Sequence, residues 1–439
     1  MNKRTTHAGL VRDVGRWDVV ALMFNFIVGA SIFSLPSKIY ALTGTYSILA
    51  IAACALLIVL VVFCFAEVSS RFTGTGGPYL YAREALGPVV GFEIGWLLWV
   101  ARLTGSAAIC NVIVTYLSYF WEPAGSGFWR AAVMTALIAV FTTVNIIGVK
   151  ESAIVNDIFA IGKLIPILVF VGVGLFFIDP QQYSFATPPS PGSFSLAASQ
   201  LIFAFAGFEG VVITAGETRD PRRNMPFAML IVIGATVVLY ILIQVVCIGT
   251  LPNLAGSERP LADASRLFMG ATGASIVAAG ALVSSTGVLG AGLLAGPRLT
   301  FAMAEQHQLP QFLCATHRRF HTPHVSILLA VTIVLALSIS GTFTQMLTLS
   351  AIARLISYVT TCVALLVLRR RGDERPAMFR LPGATAITAA AIALSVWLLA
   401  SNGWRELRQI GIAATLGLLV YVAYRWKGNL MQKVPDAEV

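Results

Sequence analysis

Charge is scarce in this chain. Acidic and basic residues make up 11% of 439 positions while 57% are hydrophobic, against roughly 25% and 45–50% in soluble domains. So few charges cannot clothe an ordinary soluble domain. Cysteine is sparse too: Cys54, Cys64, Cys110, Cys247, Cys314 and Cys362 form no C-x-x-C pair. Neither a disulfide framework nor a zinc site is supported, and buried, unpaired thiols are expected. The five histidines show no metal-ligating spacing, and His317, His321 and His324 surround a basic loop. G-x-S-x-G and H-E-x-x-H are both absent, which leaves an enzyme without a visible nucleophile or metal. Gly290-Ala291-Gly292-Leu293-Leu294-Ala295-Gly296 imitates a dinucleotide fingerprint, but it sits inside an apolar run with no strand before it. Helix packing is the better reading, and no cofactor is expected. No long polar block points to a soluble second domain, and the first apolar run lacks the small-residue cleavage site of a removable signal peptide.

What is abundant is apolar sequence in membrane-length pieces. A spanning helix needs roughly 20 mostly apolar residues. Such runs fall at 18–41, 46–66, 88–113, 130–148, 153–178, 195–216, 227–250, 273–303, 323–341, 346–368, 384–400 and 409–425. These predict an all-α polytopic membrane protein of 12 helices, with both termini on one side. The formal charge of +10, from 30 Lys and Arg against 20 Asp and Glu, would suggest a nucleic-acid partner in a soluble protein. Its placement argues otherwise. Twenty-one cations fall on the side of the termini, six on the other (Lys38, Arg130, Arg259, Arg266, Arg405, Arg408) and three within spans (Arg102, Lys163, Arg354). Cytoplasmic loops are the cation-rich ones, so both termini are expected in the cytoplasm and the partner is the lipid bilayer. The loop at 179–194, with Pro188, Pro189 and Pro191, predicts an extended external connection.

Two of the runs carry an interruption. The first contains Asn25 to Phe33 (NFIVGASIF), with Gly29, Ala30 and Ser31 in succession and Pro36 after them. The sixth contains Phe203 to Gly210 (FAFAGFEG), with Ala206 and Gly207 before Glu209. Non-helical backbone at membrane depth is tolerated only against protein or a water-filled cavity. An offset of five helices reverses direction through the bilayer, the pattern of an inverted repeat whose discontinuous helices frame a midplane site. Half-helix N-termini present N–H groups to a carboxylate and unwound carbonyls receive an ammonium, which suits an amino-acid zwitterion. The rival reading is close helix packing through small residues.

These motifs resemble those of the amino acid-polyamine-organocation (APC) transporters. Gly29-Ala30-Ser31-Ile32-Phe33 is similar to their G-[SA]-G-I-[FI] segment, and Ala66-Glu67-Val68 through Gly76-Gly77-Pro78-Tyr79-Leu80-Tyr81 to the A-E-x-x-x-R-x-P-x-x-G-G-x-Y-x-Y stretch. Phe205-Ala206-Gly207-Phe208-Glu209, followed by Glu217 to Pro226, resembles F-x-G-F-E…E-x-x-x-P-x-x-x-x-P, and Arg298 through Pro310 the signature after helix eight. The resemblance implies two inverted five-helix repeats with helices 1 and 6 broken, then two further helices, working by alternating access. The expected division is a cytoplasmic tail at 1–17, a transport core at 18–368, helices 11 and 12 at 369–426 and a second cytoplasmic tail at 427–439. By position, Ala30, Ser31 and Ile32 are implied at the substrate carboxylate, with Gly29 beside them in the substrate-binding segment. Ala204, Ala206 and Gly207 are implied near the ammonium, and Phe203 as an aromatic gate. Ser31 stands where the family commonly has glycine, which narrows the cleft.

Ionisable residues within spans are costly and usually face cavities or partners. Lys163 matches the family lysine whose ammonium can replace a sodium ion; it reads either as a coupling proton carrier or as a charged tether for the first broken helix. Glu209 reads as a gate or proton carrier, or as a brace for the unwound sixth helix. Arg102 and Arg354 either disfavour cationic substrates or pair with Glu209, Glu93 or carbonyls. Ser284 and Ser285 are candidates to surround Lys163, and Ser106 to line the site. The resulting expectation is a secondary transporter of small neutral L-amino acids, by proton coupling or exchange. Export, or antiport of anionic or cationic amino acids, is the alternative, and a non-transporting amino-acid sensor is the rival of another class. Protons and a second copy of the chain are the further partners this reading allows.

Overall fold

The computed structural model describes residues 14–73, 76–147, 153–212, 215, 218–306, 308–320, 322–371 and 376–432, without the side chains of 153–161 and 425–432. Lys150, Glu217, His321 and both ends of the chain, 1–13 and 433–439, lie outside the described residues. Among those described there is no β-strand, only an isolated bridge between Val14 and Thr218. The helices are α1 (Arg16–Ile27), α2 (Ser31–Thr43), α3 (Ser47–Ser69), α4 (Pro78–Leu86), α5 (Pro88–Leu117), α6 (Gly127–Ile147), α7 (Ala153–Gly174) and α8 (Pro191–Phe205). They continue as α9 (Phe208–Val212), α10 (Pro221–Thr250), α11 (Pro260–Glu305), α12 (His324–Ser340), α13 (Phe343–Arg370), α14 (Ala384–Ala400) and α15 (Trp404–Gln432). Among the described residues eight segments are long and apolar enough to cross a membrane, and three shorter apolar helices accompany them. Their outer faces are apolar: Phe176 is 88% exposed, and Leu168, Leu416 and Leu419 are exposed as well. Such a surface belongs against lipid. All six cysteines are free thiols, five of them buried.

Three features depart from the sequence reading. The stretch before α5 is not wholly loop, because α4 forms there with Pro78 in its first turn. Nine residues carrying Arg83 and Glu84 are too short and too polar to register as an apolar run. Pro191 does not extend the external connection but opens α8, where Ser190 accepts a hydrogen bond from the Ser193 N–H at 3.1 Å. A proline at the first helical position gives up an N–H that had no helical partner. Finally, α11 begins well before residue 273, at Pro260, and turns at Gly270, whose φ of 67° separates two helical pieces.

Both interruptions are real breaks in the helix. α1 ends at Ile27, Val28 is extended, and α2 starts at Ser31; α8 ends at Phe205, Ala206 is extended, and α9 starts at Phe208. The breaks lie against one another. A Cβ at Gly207 would stand 2.8 Å from the Phe26 carbonyl oxygen, and Gly207 has φ +129°. Only glycine combines that conformation with that approach. Tyr240 of α10 ties the two broken helices together, its hydroxyl reaching Ala204 O at 2.9 Å and Ile27 O at 3.1 Å. The five residues of α9 are anchored by a buried aromatic cluster. Phe208 stacks on Tyr358 of α13 with centroids 5.4 Å apart and meets Phe65 of α3 edge-on at 5.2 Å. Such pairs contribute about 0.5–1.5 kcal/mol each beyond their area.

At the end of α3 the fold is locked by one carboxylate. Glu67, fully buried, accepts from Arg71 at 3.0 Å, from Arg369 of α13 at 2.8 and 2.5 Å, and from the Leu381 N–H at 2.8 Å. Removing one partner of a buried ionic network strands the rest, at about 3–5 kcal/mol. Glu67→Gln is therefore expected to lower the thermal midpoint of the purified protein in detergent; an unchanged midpoint would show that the network adds no stability. Gly207→Ala is expected to cost about 1–3 kcal/mol through backbone strain alone, with further loss from the Phe26 carbonyl. The same thermal assay reads it, against Gly234→Ala in α10, where the added methyl meets open space.

Candidate functional site

The crossing of the two breaks leaves a cavity of about 80 Å³ at the centre of the bundle. Its floor comes from both breaks, through Gly29, Ala30 and Ser31 on one side and Phe203, Ala206 and Gly207 on the other. α5 contributes Arg102 and Ser106, α9 contributes Glu209, and α13 contributes Arg354. Ten of the residues singled out in the sequence thus meet around one space, Arg354 among them.

Several expected residues stand back from it. Ile32 and Ala204 are buried beside the cavity without lining it, and the Ala204 carbonyl is taken by Tyr240. Lys163, only 1% exposed, donates from Nζ to Asn25 O at 2.5 Å. Asn25 lies in the last turn of α1, where carbonyls lack the N–H of a continuing helix. Lys163 therefore satisfies the end of a broken helix, and among the described residues it makes no ion pair. Ser284 and Ser285 of α11 are buried with hydroxyls that reach no hydrogen-bond partner. α11 does pack on α7 at this level: a Cβ at Gly280 would stand within 2.5 Å of Pro166.

The charged groups are unequally provided for. Glu209 pairs with Arg354 Nη1, and its other oxygen accepts from the Gly207 N–H at 3.0 Å and lies 3.4 Å from the Tyr358 hydroxyl. It braces the break in the backbone. Arg354 also reaches Ser350 Oγ at 3.3 Å, and that hydroxyl donates to Ala101 O at 2.8 Å. Arg102 lies over Gly210, where an added Cβ would stand 3.2 Å from Nη2. Among the described residues Arg102 makes no hydrogen bond or ion pair.

The sequence reading missed Tyr240 and Tyr358. Their signal was a phenol inside an apolar helix, since a buried tyrosine hydroxyl usually has a partner. It also missed Gly105, which leaves room for the Phe203 ring and Ser350 Oγ, both 3.3 Å from where its Cβ would be. The glycine-rich stretch of α11 acts in packing: Gly290 faces the Phe141 ring and Gly292 faces Ser106 Oγ.

The model of a family described as amino acid permease matches residues 14–411. A methylthioribose transporter of Bacillus subtilis (strain 168) is 27% identical, covering 99% of this chain and 97% of its own. The branched-chain amino acid permease BcaP of the same organism is 26% identical over 97% of this chain and 95% of its own. Its serine/threonine exchanger SteT is 27% identical over 94% and 96%. The match runs through both helix breaks and every residue around the cavity, and the chain accordingly belongs to the amino acid permease family of the APC superfamily, whose members are transporters and not enzymes.

Proposed function

We propose that this protein is a secondary active transporter of small amino acids in the cytoplasmic membrane. It spans the bilayer twelve times with both termini in the cytoplasm and works by alternating access between two inverted five-helix repeats. The observation that carries the reading is the cavity enclosed by two crossing helix breaks, one in each proposed repeat. The substrate α-carboxylate lies at the first turn of α2, against Gly29, Ala30 and Ser31, where N–H groups precede the helical ladder. Its ammonium faces the carbonyl end of α8 beside Ala206 and Gly207, and the Phe203 ring closes over it. A cavity of about 80 Å³ holds roughly five water positions, which favours a small substrate. Arg102 on the wall disfavours a cationic one. The names of two relatives, one for branched-chain amino acids and one for serine/threonine exchange, support an amino acid as cargo.

Lys163 is the coupling residue of this proposal. Among the described residues its ammonium has a carbonyl and no carboxylate for a partner, and that carbonyl belongs to the helix that must move. Making and breaking one contact then links protonation to conformation. Ser284 and Ser285 stand ready for the ammonium in the other state.

Purified protein in liposomes, given labelled amino acids with and without an imposed pH gradient, tests the transport reading. Uptake or exchange of at least one small amino acid is the expected result, and none for any amino acid overturns it. For coupling, Lys163→Ala is expected to abolish the response of transport to pH while substrate still stabilises the protein against heat. A full pH response in that variant removes Lys163 from the mechanism.

A further inference from the structure

Among the described residues three charged side chains line the central cavity, and their pairing leaves one over. Arg354 is neutralised by Glu209, whose remaining oxygen is occupied by the Gly207 N–H and Tyr358. Arg102 and Arg354 line the same cavity, and its single carboxylate is paired with Arg354. Among the described residues no other carboxylate lines the cavity. Glu67 is committed to Arg71 and Arg369. Glu93, on the same helix as Arg102, lies nine residues earlier, about 13 Å along the axis, and its carboxylate oxygens are without partners. Lys163 adds a further positive charge beside α1.

A guanidinium at this depth with no counter-charge is strongly unfavourable, yet it faces the space where solute enters. A neutral amino acid does not change the balance, because its ammonium cancels its α-carboxylate. A second carboxylate does. The planar fork of arginine accepts one in a two-point, charge-assisted contact. Ser106, one turn along α5, and the bare backbone at Gly210 leave Arg102 open toward the cavity.

We propose that the substrate carries a second carboxylate on its side chain, making it a small acidic amino acid, and that Arg102 is the residue that selects it. This rests on the transport reading above, with the α-carboxylate at α2, and replaces the neutral side chain expected from sequence. The solute supplies the missing counter-charge and brings it into a cavity too small for a long side chain.

The experiment compares near-isosteric pairs that differ in charge. Full-length protein in liposomes takes up labelled aspartate, with unlabelled aspartate, asparagine, glutamate, glutamine, serine and alanine as competitors. Parallel uptake of labelled serine reads transport of a neutral amino acid directly. The acids are expected to compete about 10- to 100-fold more strongly than their amides, the range for a hydrogen-bonded charge pair. Arg102→Gln is expected to erase that ratio and shift the order toward asparagine and serine. Arg102→Lys, which keeps the charge without the fork, is expected to retain part of it and serves if the glutamine variant fails to fold. Amides competing as well as acids, or uptake of serine without aspartate, overturns the acidic substrate and leaves amino-acid transport standing. An acid preference that survives Arg102→Gln overturns the assignment of Arg102. Absence of transport for every amino acid overturns the transport reading and this inference together.

Discussion

A peptide group at membrane depth has no water to bond with, so every interruption of a helix there must be answered by another part of the protein. α1 and α8 each stop in the middle of the bundle, and the structure answers each exposed end separately. The Asn25 carbonyl receives the Lys163 ammonium, the Ile27 and Ala204 carbonyls share the Tyr240 hydroxyl, and the Gly207 N–H is held by Glu209. Three of these groups come from elsewhere in the chain or beyond the break itself, which is why α7, α9 and α10 have their places. A protein that needed only to span a bilayer would have no reason to create this problem. Opening the helices exposes polar backbone where a solute can use it, and the bracing groups keep the opening in one shape.

The same scarcity governs the charges. With 11% charged residues, the buried ion pairs are few, and each ties together separate parts of the fold. Glu67 gathers Arg71, Arg369 and the Leu381 N–H into a lock between the ends of α3 and α13. Arg222 of α10 extends it by donating to Ser70 O at 2.7 Å. Glu209 and Arg354 form a second compensated pair at the cavity wall. Arg102 is set apart from both. Among the described residues it is the charged group of the cavity wall without a protein partner, and in the proposal above the solute supplies that partner.

Much of the fold was legible because the bilayer limits the alternatives. The apolar runs located the long helices to within a few residues, since length and hydropathy suffice to mark a segment that lies in hydrocarbon. The breaks were legible at Gly29-Ala30-Ser31 and Ala206-Gly207 because small residues and a following Pro36 or Glu209 are hard to reconcile with an unbroken apolar helix. α4 and the outer part of α11 were not legible. Both are helical pieces outside the strongly apolar runs, each opened by a proline in its first turn, and hydropathy is silent about them. Pro191 misled for a related reason: the same restricted φ suits an extended connection and the first residue of a helix.

At the site, the sequence by itself determined which residue types would be present: two broken helices, one glutamate, two arginines and a lysine at membrane depth, together with the resemblance that names the family. It could not assign partners. Glu209 had Arg102 and Arg354 as equal candidates, and Lys163 was open to a coupling or a tethering role. Only the tertiary structure decided that Arg354 takes the carboxylate, that Lys163 rests on the Asn25 carbonyl and that Arg102 is left facing the cavity. The physical reason is range. Apolar periodicity and backbone preference act over a few residues and are written locally, whereas ion pairing depends on distances of a few ångströms between residues up to 302 positions apart, which exist only once the helices have packed.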